Sequence, residues 1–95
     1  MIKRIAMWKL REISDLQEIE SKLLSLKGNV PSLLDMEVGI NISNSPSAFD
    51  IVFSGYFKDS DALKEFEDDK FHKSVADWVT NHRETRHVVD YEVSE

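Results

Sequence analysis

His72 is the side chain in this sequence best placed to do chemistry. It stands early in a segment where Phe71, Val75, Trp78 and Val79 recur at helical spacing, so it flanks the apolar stripe of a helix. An imidazole titrates near 6.5 when unperturbed, and a general base works best with a pKa near operating pH. The competing reading is a partly buried helix histidine that bonds backbone or water. The acidic run Glu67, Asp68 and Asp69 lies just upstream. It lacks the alternating oxygen ligands and the glycine of a calcium loop, so it reads as a wet junction between two helices. His82 and His87 are too distant in sequence to join it by spacing, and neither a metal site nor a cofactor is expected. With no cysteine in the chain, thiolate catalysis, disulfides and Cys-rich zinc sites are all excluded.

These residues have to be positioned by one small domain. Ninety-five residues leave room for a single core, and residues 1–95 read as one unit without repeat, low-complexity tract or linker. Hydrophobic residues make up 41% and charged residues 32%. A net charge of −6, with twelve Lys and Arg scattered among eighteen acids, argues against a nucleic-acid partner, which needs a clustered positive field. The apolar residues around Met1 to Leu10 are interrupted by Lys9 and Arg11, unlike a signal peptide, and no stretch is long enough to span a bilayer. The expectation is a cytoplasmic protein without a membrane partner.

Ile2 to Leu10 reads as a strand. Ser14 with Gln17 makes a capping-box signal for a helix beginning near residue 15. That helix carries Leu16, Ile19, Leu23 and Leu26, and Gly28 followed by Pro31 stops it. Met36, Val38, Ile40 and Ile42 alternate with Asp35, Glu37, Gly39 and Asn41 as a strand with one wet face. Asn44 to Ser47 form a turn, and Phe49 to Phe57 a third strand. Asp59, Ser60 and Asp61 open a short helix that runs to about Glu67. A further helix runs from about Lys70 to Asn81 with Phe71, Val75, Trp78 and Val79 inward, and His87 to Val93 is the last strand. The order β-α-β-β-α-α-β is the split-βαβ pattern with a broken second helix, an α+β ferredoxin-like arrangement.

Strand one is apolar on both faces, with Ile5 and Met7 on one and Ile2, Ala6, Trp8 and Leu10 on the other. Strand three sets Phe49, Ile51, Phe53 and Phe57 against Val52 and Tyr56. The second and fourth strands are apolar mainly on one face, the fourth through Val89, Tyr91 and Val93. Two-sided strands belong in the middle of a sheet, which predicts the antiparallel order 4-1-3-2. Helices cover one face of such a sheet. A second copy of the chain is the simplest cover for the other, giving two sheets packed as a dimeric α/β barrel. Gly39, inside an edge strand, predicts a bulge or a close backbone approach, such as one to a dimer mate. Trp8, Phe53 and Tyr56 read as core or interface packing. Arg4 and Asp50 each open one of two adjacent antiparallel strands, so they are expected near opposite ends of the sheet, beyond salt-bridge reach. Arg4 alone could bind an anionic ligand group at a pocket mouth, or stand solvated at its strand end.

The series Glu37-Val38-Gly39-Ile40-Asn41, Ser45-Pro46, Phe49-Asp50-Ile51-Val52, Phe57, Ala62-Leu63 and Val89-Asp90-Tyr91, with the opening Ile2-Lys3-Arg4-Ile5 and Trp8-Lys9, resembles the stress-responsive A/B barrel (Dabb) family over nearly the whole chain. The resemblance implies a dimeric α/β barrel. It implies a range of roles, from stress-induced proteins of unassigned activity to a plant polyketide cyclase and related cofactor-independent monooxygenases. In cyclase-like members a histidine matching His72 acts as general base in a pocket between helices and sheet. This chain departs from that pattern. Arg4 and Asp50 stand where histidines occur, Phe66 replaces an orienting tyrosine, and Asp69-Lys70 replaces a His-Pro.

The resulting expectation is a homodimer with a small, mainly apolar pocket for a hydrophobic or aromatic molecule, without assigned catalysis. The candidate ligand-binding residues are Arg4, Trp8, Asp50, Val52, Phe66 and His72. Two alternatives stand beside it: a cofactor-independent enzyme, cyclase-like or monooxygenase-like, with His72 as base, and a purely structural dimerisation module.

Overall fold

A computed structural model describes residues 1–94. Four strands, β1 (Ile2–Leu10), β2 (Asp35–Ile40), β3 (Ile51–Phe57) and β4 (Arg83–Glu92), form one antiparallel sheet in the order β2-β3-β1-β4. Three helices, α1 (Leu16–Leu24), α2 (Ser60–Asp68) and α3 (Lys70–Thr80), complete the α+β ferredoxin-like fold. This is the sheet order expected from the two-sided central strands. Among the described residues, no helix is long and apolar enough to cross a membrane.

The register assigns the faces. Ile2, Arg4, Ala6, Trp8 and Leu10 of β1 are all buried, as are Ile51, Phe53, Gly55 and Phe57 of β3, so this face looks toward the helices. Ile19 and Leu23 of α1, Phe66 of α2, and Val75 and Val79 of α3 complete the core. Phe66 is its aromatic centre, edge-on to Phe57 at 4.9 Å and stacked on Phe53 at 6.3 Å. Burying one such side chain stabilises by about 1.5–3 kcal/mol, so a few of them outweigh any single helix cap.

The opposite face carries rows of cross-strand neighbours: Tyr56, Lys3 and Tyr91, then Ser54, Ile5 and Val89, then Val52, Met7 and His87. Val89 is 53% exposed and Tyr91 41%, and the Lys3 ammonium lies 5.2 Å from the centre of the Tyr56 ring. The molecule measures only 18 Å in its thinnest direction, the depth of one sheet and one helical layer. A large part of this second face is therefore left open.

Several local expectations change. Ser14 does not cap α1; it lies in a 3-10 turn (Ile13–Asp15), and the cap position falls to Asp15, whose side chain makes no capping bond. α1 stops at Leu24, yet Leu26 and Val30 are still buried, so the turn around Gly28 (φ +80°) supplies core as the helix would. β2 ends at Ile40, and Ile42 stands 99% exposed because Asn41 turns the chain, its amide bonding the Asp50 carbonyl. β3 begins at Ile51, and the Phe49 ring packs on His87, 5.2 Å away, outside the strand's alternation. Phe71 is exposed because Phe66 already fills the space beneath the first turn of α3. β4 starts four residues earlier than its apolar pattern indicates, and its pairing with β1 shifts by one between Lys9 and Leu10, so that Leu10 faces Arg83 and Glu84 is passed over.

Gly39 makes its close approach inside the chain. A Cβ there would lie 3.1 Å from Cγ1 of its cross-strand neighbour Val52, and the pairing of β2 with β3 runs without a bulge. Gly55 is tighter, since a Cβ would meet the Phe53 ring at 2.7 Å and Leu33 at 3.1 Å. Phe53 is buried and stacked on Phe66, so it has little room to give. Gly55→Ala should cost about 1–3 kcal/mol, as overpacked core sites do. Urea denaturation with an unchanged midpoint would contradict this packing.

Candidate functional site

Between α3 and the β1–β4 half of the sheet lies a cavity of about 320 Å³, at the lower end of the range of about 300–1,000 Å³ typical of ligand pockets. Its floor comes from the helix-facing side of β1, where Ala6 is small and Arg4 and Trp8 flank it. Phe66, Val75 and Val79 supply apolar wall, and His72 stands among them.

Arg4 is a buried charge, 7% exposed, and its partners explain how it is tolerated. Nε and Nη2 donate to the two carboxylate oxygens of Asp90, opposite it on β4, at 2.7 and 3.0 Å. Glu67 at the end of α2 adds a second carboxylate at 3.5 Å. The bidentate bond to Asp90 holds the guanidinium proton above its ordinary range.

His72 enters the pocket because α2 and α3 are joined at one residue. Asp69 ends α2 and caps α3, its carboxylate accepting from the amides of Phe71 at 2.8 Å and His72 at 3.0 Å. The imidazole lies on the Phe66 ring, centres 3.9 Å apart. Its Nδ1 is buried and has no protein hydrogen-bond partner. Burial first, and the Arg4 cation second, push its pKa below 6.5. The ring is therefore neutral at pH 7, with a lone pair available to accept a proton.

Of the six residues expected to bind a ligand, Arg4, Trp8, Phe66 and His72 line this cavity. Asp50 and Val52 do not. The Asp50 carboxylate accepts from the Leu10 amide at 2.7 Å, fastening the far end of β1. Arg4 faces Gly55, five residues along β3 from Asp50, a separation of roughly 17 Å at the usual strand rise. Val52 alternates with the buried Ile51 and Phe53, so it falls on the open face, in a shallow depression with Met7 and Gly39. The other histidines are dispersed: His87 sits on Phe49, and His82 stacks on Trp78 at 3.9 Å with Nδ1 bonding the Trp78 carbonyl. Among the described residues, no three His, Asp or Glu side chains converge to hold a metal.

Sequence reasoning missed Arg83 and Arg86, which line the cavity from β4. Their segment, Arg83 to Arg86, has no apolar alternation and so gives no strand signal. The only hint is the spacing itself, two arginines three residues apart immediately after α3.

His72 yields a pH prediction. The unfolded histidine binds its proton near pH 6.5 and the folded one only at lower pH. Its contribution to stability is therefore present above about pH 6.5 and lost as pH falls through the window down to the folded pKa. NMR titration should place the His72 midpoint below 6.5, and His72→Gln should flatten the stability profile across that window.

The model of a family described as the stress responsive A/B barrel domain matches residues 2–93. No curated protein matches the chain. Among solved structures, a dimeric ferredoxin-like protein of unknown function from Bacteroides fragilis superposes with a TM-score of 0.82 at 21% identity, over 97% of this chain and 95% of that one. One from Thermobifida fusca, also described as dimeric and of unknown function, gives 0.86 at 15% identity over 97% and 90%. The hydroxynitrile lyase of Passiflora edulis gives 0.86 at 13% identity over 99% and 94%.

Proposed function

The chain belongs to the stress-responsive A/B barrel family, and we propose that it works as a homodimer that binds a small molecule in the cavity between α3 and the sheet. The observation that carries the ligand role is a pocket of about 320 Å³ with an imidazole nitrogen buried in its wall and left without a protein partner. An unpaired buried polar atom costs about 1–3 kcal/mol, and a bound group or water that meets it recovers that cost. The dimer draws support from the apolar rows on the open face and from neighbours described as dimeric. The cavity and its unpaired nitrogen weigh against a purely structural dimerisation role, which needs neither.

Analytical ultracentrifugation should give about twice the chain mass of 11.0 kDa. Replacing Val89, exposed on the open face beside Ile5 of β1, by Glu should dissociate the dimer without unfolding the sheet. Ala76→Trp should fill the cavity and abolish fragment binding while leaving the dimer intact. Fragment binding that survives this change would refute the cavity as the site.

A second reading makes His72 a general base acting without a cofactor. The depressed pKa of a half-buried imidazole facing a cavity favours it. The absence of an orienting hydroxyl at Phe66, and Asp50, bonded to the Leu10 amide, in place of a second pocket imidazole, weigh against cyclase-type chemistry. In this reading His72→Ala abolishes turnover and leaves the melting temperature near that of the unaltered protein. Retained turnover, or loss through unfolding, would remove the residue from that role.

A further inference from the structure

The charges around the cavity do not balance locally, and their imbalance runs against that of the whole chain. The protein carries a net charge of −6. Yet Arg4, Lys73, Arg83 and Arg86 all line this one cavity, against the two carboxylates of Glu67 and Asp77. Arg4 is neutralised by Asp90 and Glu67. Neither Arg83 nor Arg86 has an ion-pair partner among the described residues. The Arg83 Nε is buried without a hydrogen-bond partner, the same condition as the His72 Nδ1. Arg86 lies directly opposite Trp8 across the β1–β4 ladder, so a cation and an indole share one part of the pocket. Arg86 stands at the exposed rim of the cavity, where partial desolvation and then the nearby Arg4 and Arg83 cations disfavour its charge.

We infer that the cavity receives a small aromatic acid, its carboxylate anchored by Arg83 and Arg86 and its ring held between Trp8, Phe66 and Val79. This rests on the reading of the cavity as a ligand site and names the class of ligand. A carboxylate supplies what the pocket lacks. It accepts from the orphaned Arg83 Nε, neutralises two crowded guanidiniums, and matches their planar fork with two parallel bonds. A neutral molecule of equal size fills the apolar part but leaves the arginines unpaired. Phosphate esters would meet the same cations, but the aromatic and aliphatic wall favours a flat apolar body behind the anion.

The test compares 4-methylbenzoate with 4-methylbenzamide, nearly equal in size and differing in charge, against the intact protein by amide NMR titration. Both should shift Phe66, Val75 and Ala76, the acid binding at least about tenfold more tightly, as expected for a charge-assisted bidentate contact. Arg83→Gln and Arg86→Gln should each erase most of that preference, lowering the affinity for the acid far more than that for the amide. Equal affinities for acid and amide would overturn the anchor while leaving the cavity as a binding site. Shifts from neither probe would overturn both. The comparison in the unaltered protein decides the question even if a substitution on β4 disturbs folding.

Discussion

A guanidinium placed under a layer of helices has to be neutralised there, and much of this molecule follows from how Arg4 is. The even-numbered positions of β1 are otherwise apolar, running Ile2, Ala6, Trp8 and Leu10. A fifth apolar residue would let the helices close on the sheet as an ordinary core. Arg4 instead demands carboxylates, and takes them from β4 and from the end of α2. One side chain thus ties three elements together. Removing a single partner from such a buried pair strands the other charge, which costs more than the pair contributes. Burial, and after it this same cation, pushes the His72 pKa below its ordinary value. The cavity beside it combines a paired, fixed guanidinium in its floor with a buried imidazole in its wall.

The fold was legible because its signals are geometric. Two faces of β1 and β3 are apolar and one face each of the edge strands, and that alone orders the sheet. Asp59 and Asp61 announce α2, and the Asp59 carboxylate accepts from the Ala62 amide; Asp69, which the sequence shows only as part of an acidic junction, caps α3 in the same way. Ser14 misled because a 3-10 turn can use the same residues that an α-helical cap would. Ile42 misled because alternation says nothing of where a strand's partner runs out.

The site was half legible. Parity puts Arg4 and Trp8 on one face of β1, while Phe66 and His72 come to a pocket only through the family resemblance; all four line the cavity. Asp50 could not be placed, since its carboxylate serves a backbone amide across the sheet, an arrangement without a sequence period. Arg83 and Arg86 were hidden for another reason. A strand that is polar on both faces owes its existence to the ladder beside it, and β4 is largely exposed along its length. Fold kinship adds little here, because one backbone carries both the lyase from Passiflora edulis and dimers of unknown function.

The single-residue slip in the β1–β4 ladder sets the sign of the charge at the pocket rim. Along β4, side chains alternate between the two sides of the sheet, and Arg86, opposite Trp8, points toward the helices. Counting back by twos, the next residue on that side would be Glu84. The slip passes Glu84 over and brings Arg83 opposite Leu10 instead. One surplus residue thus converts an alternating acid-and-base edge into two bases side by side. The polarity of this entrance is written in the spacing of the backbone as much as in the choice of residues: the same residues paired without the slip would set Glu84 opposite Leu10 and put an acid beside Arg86.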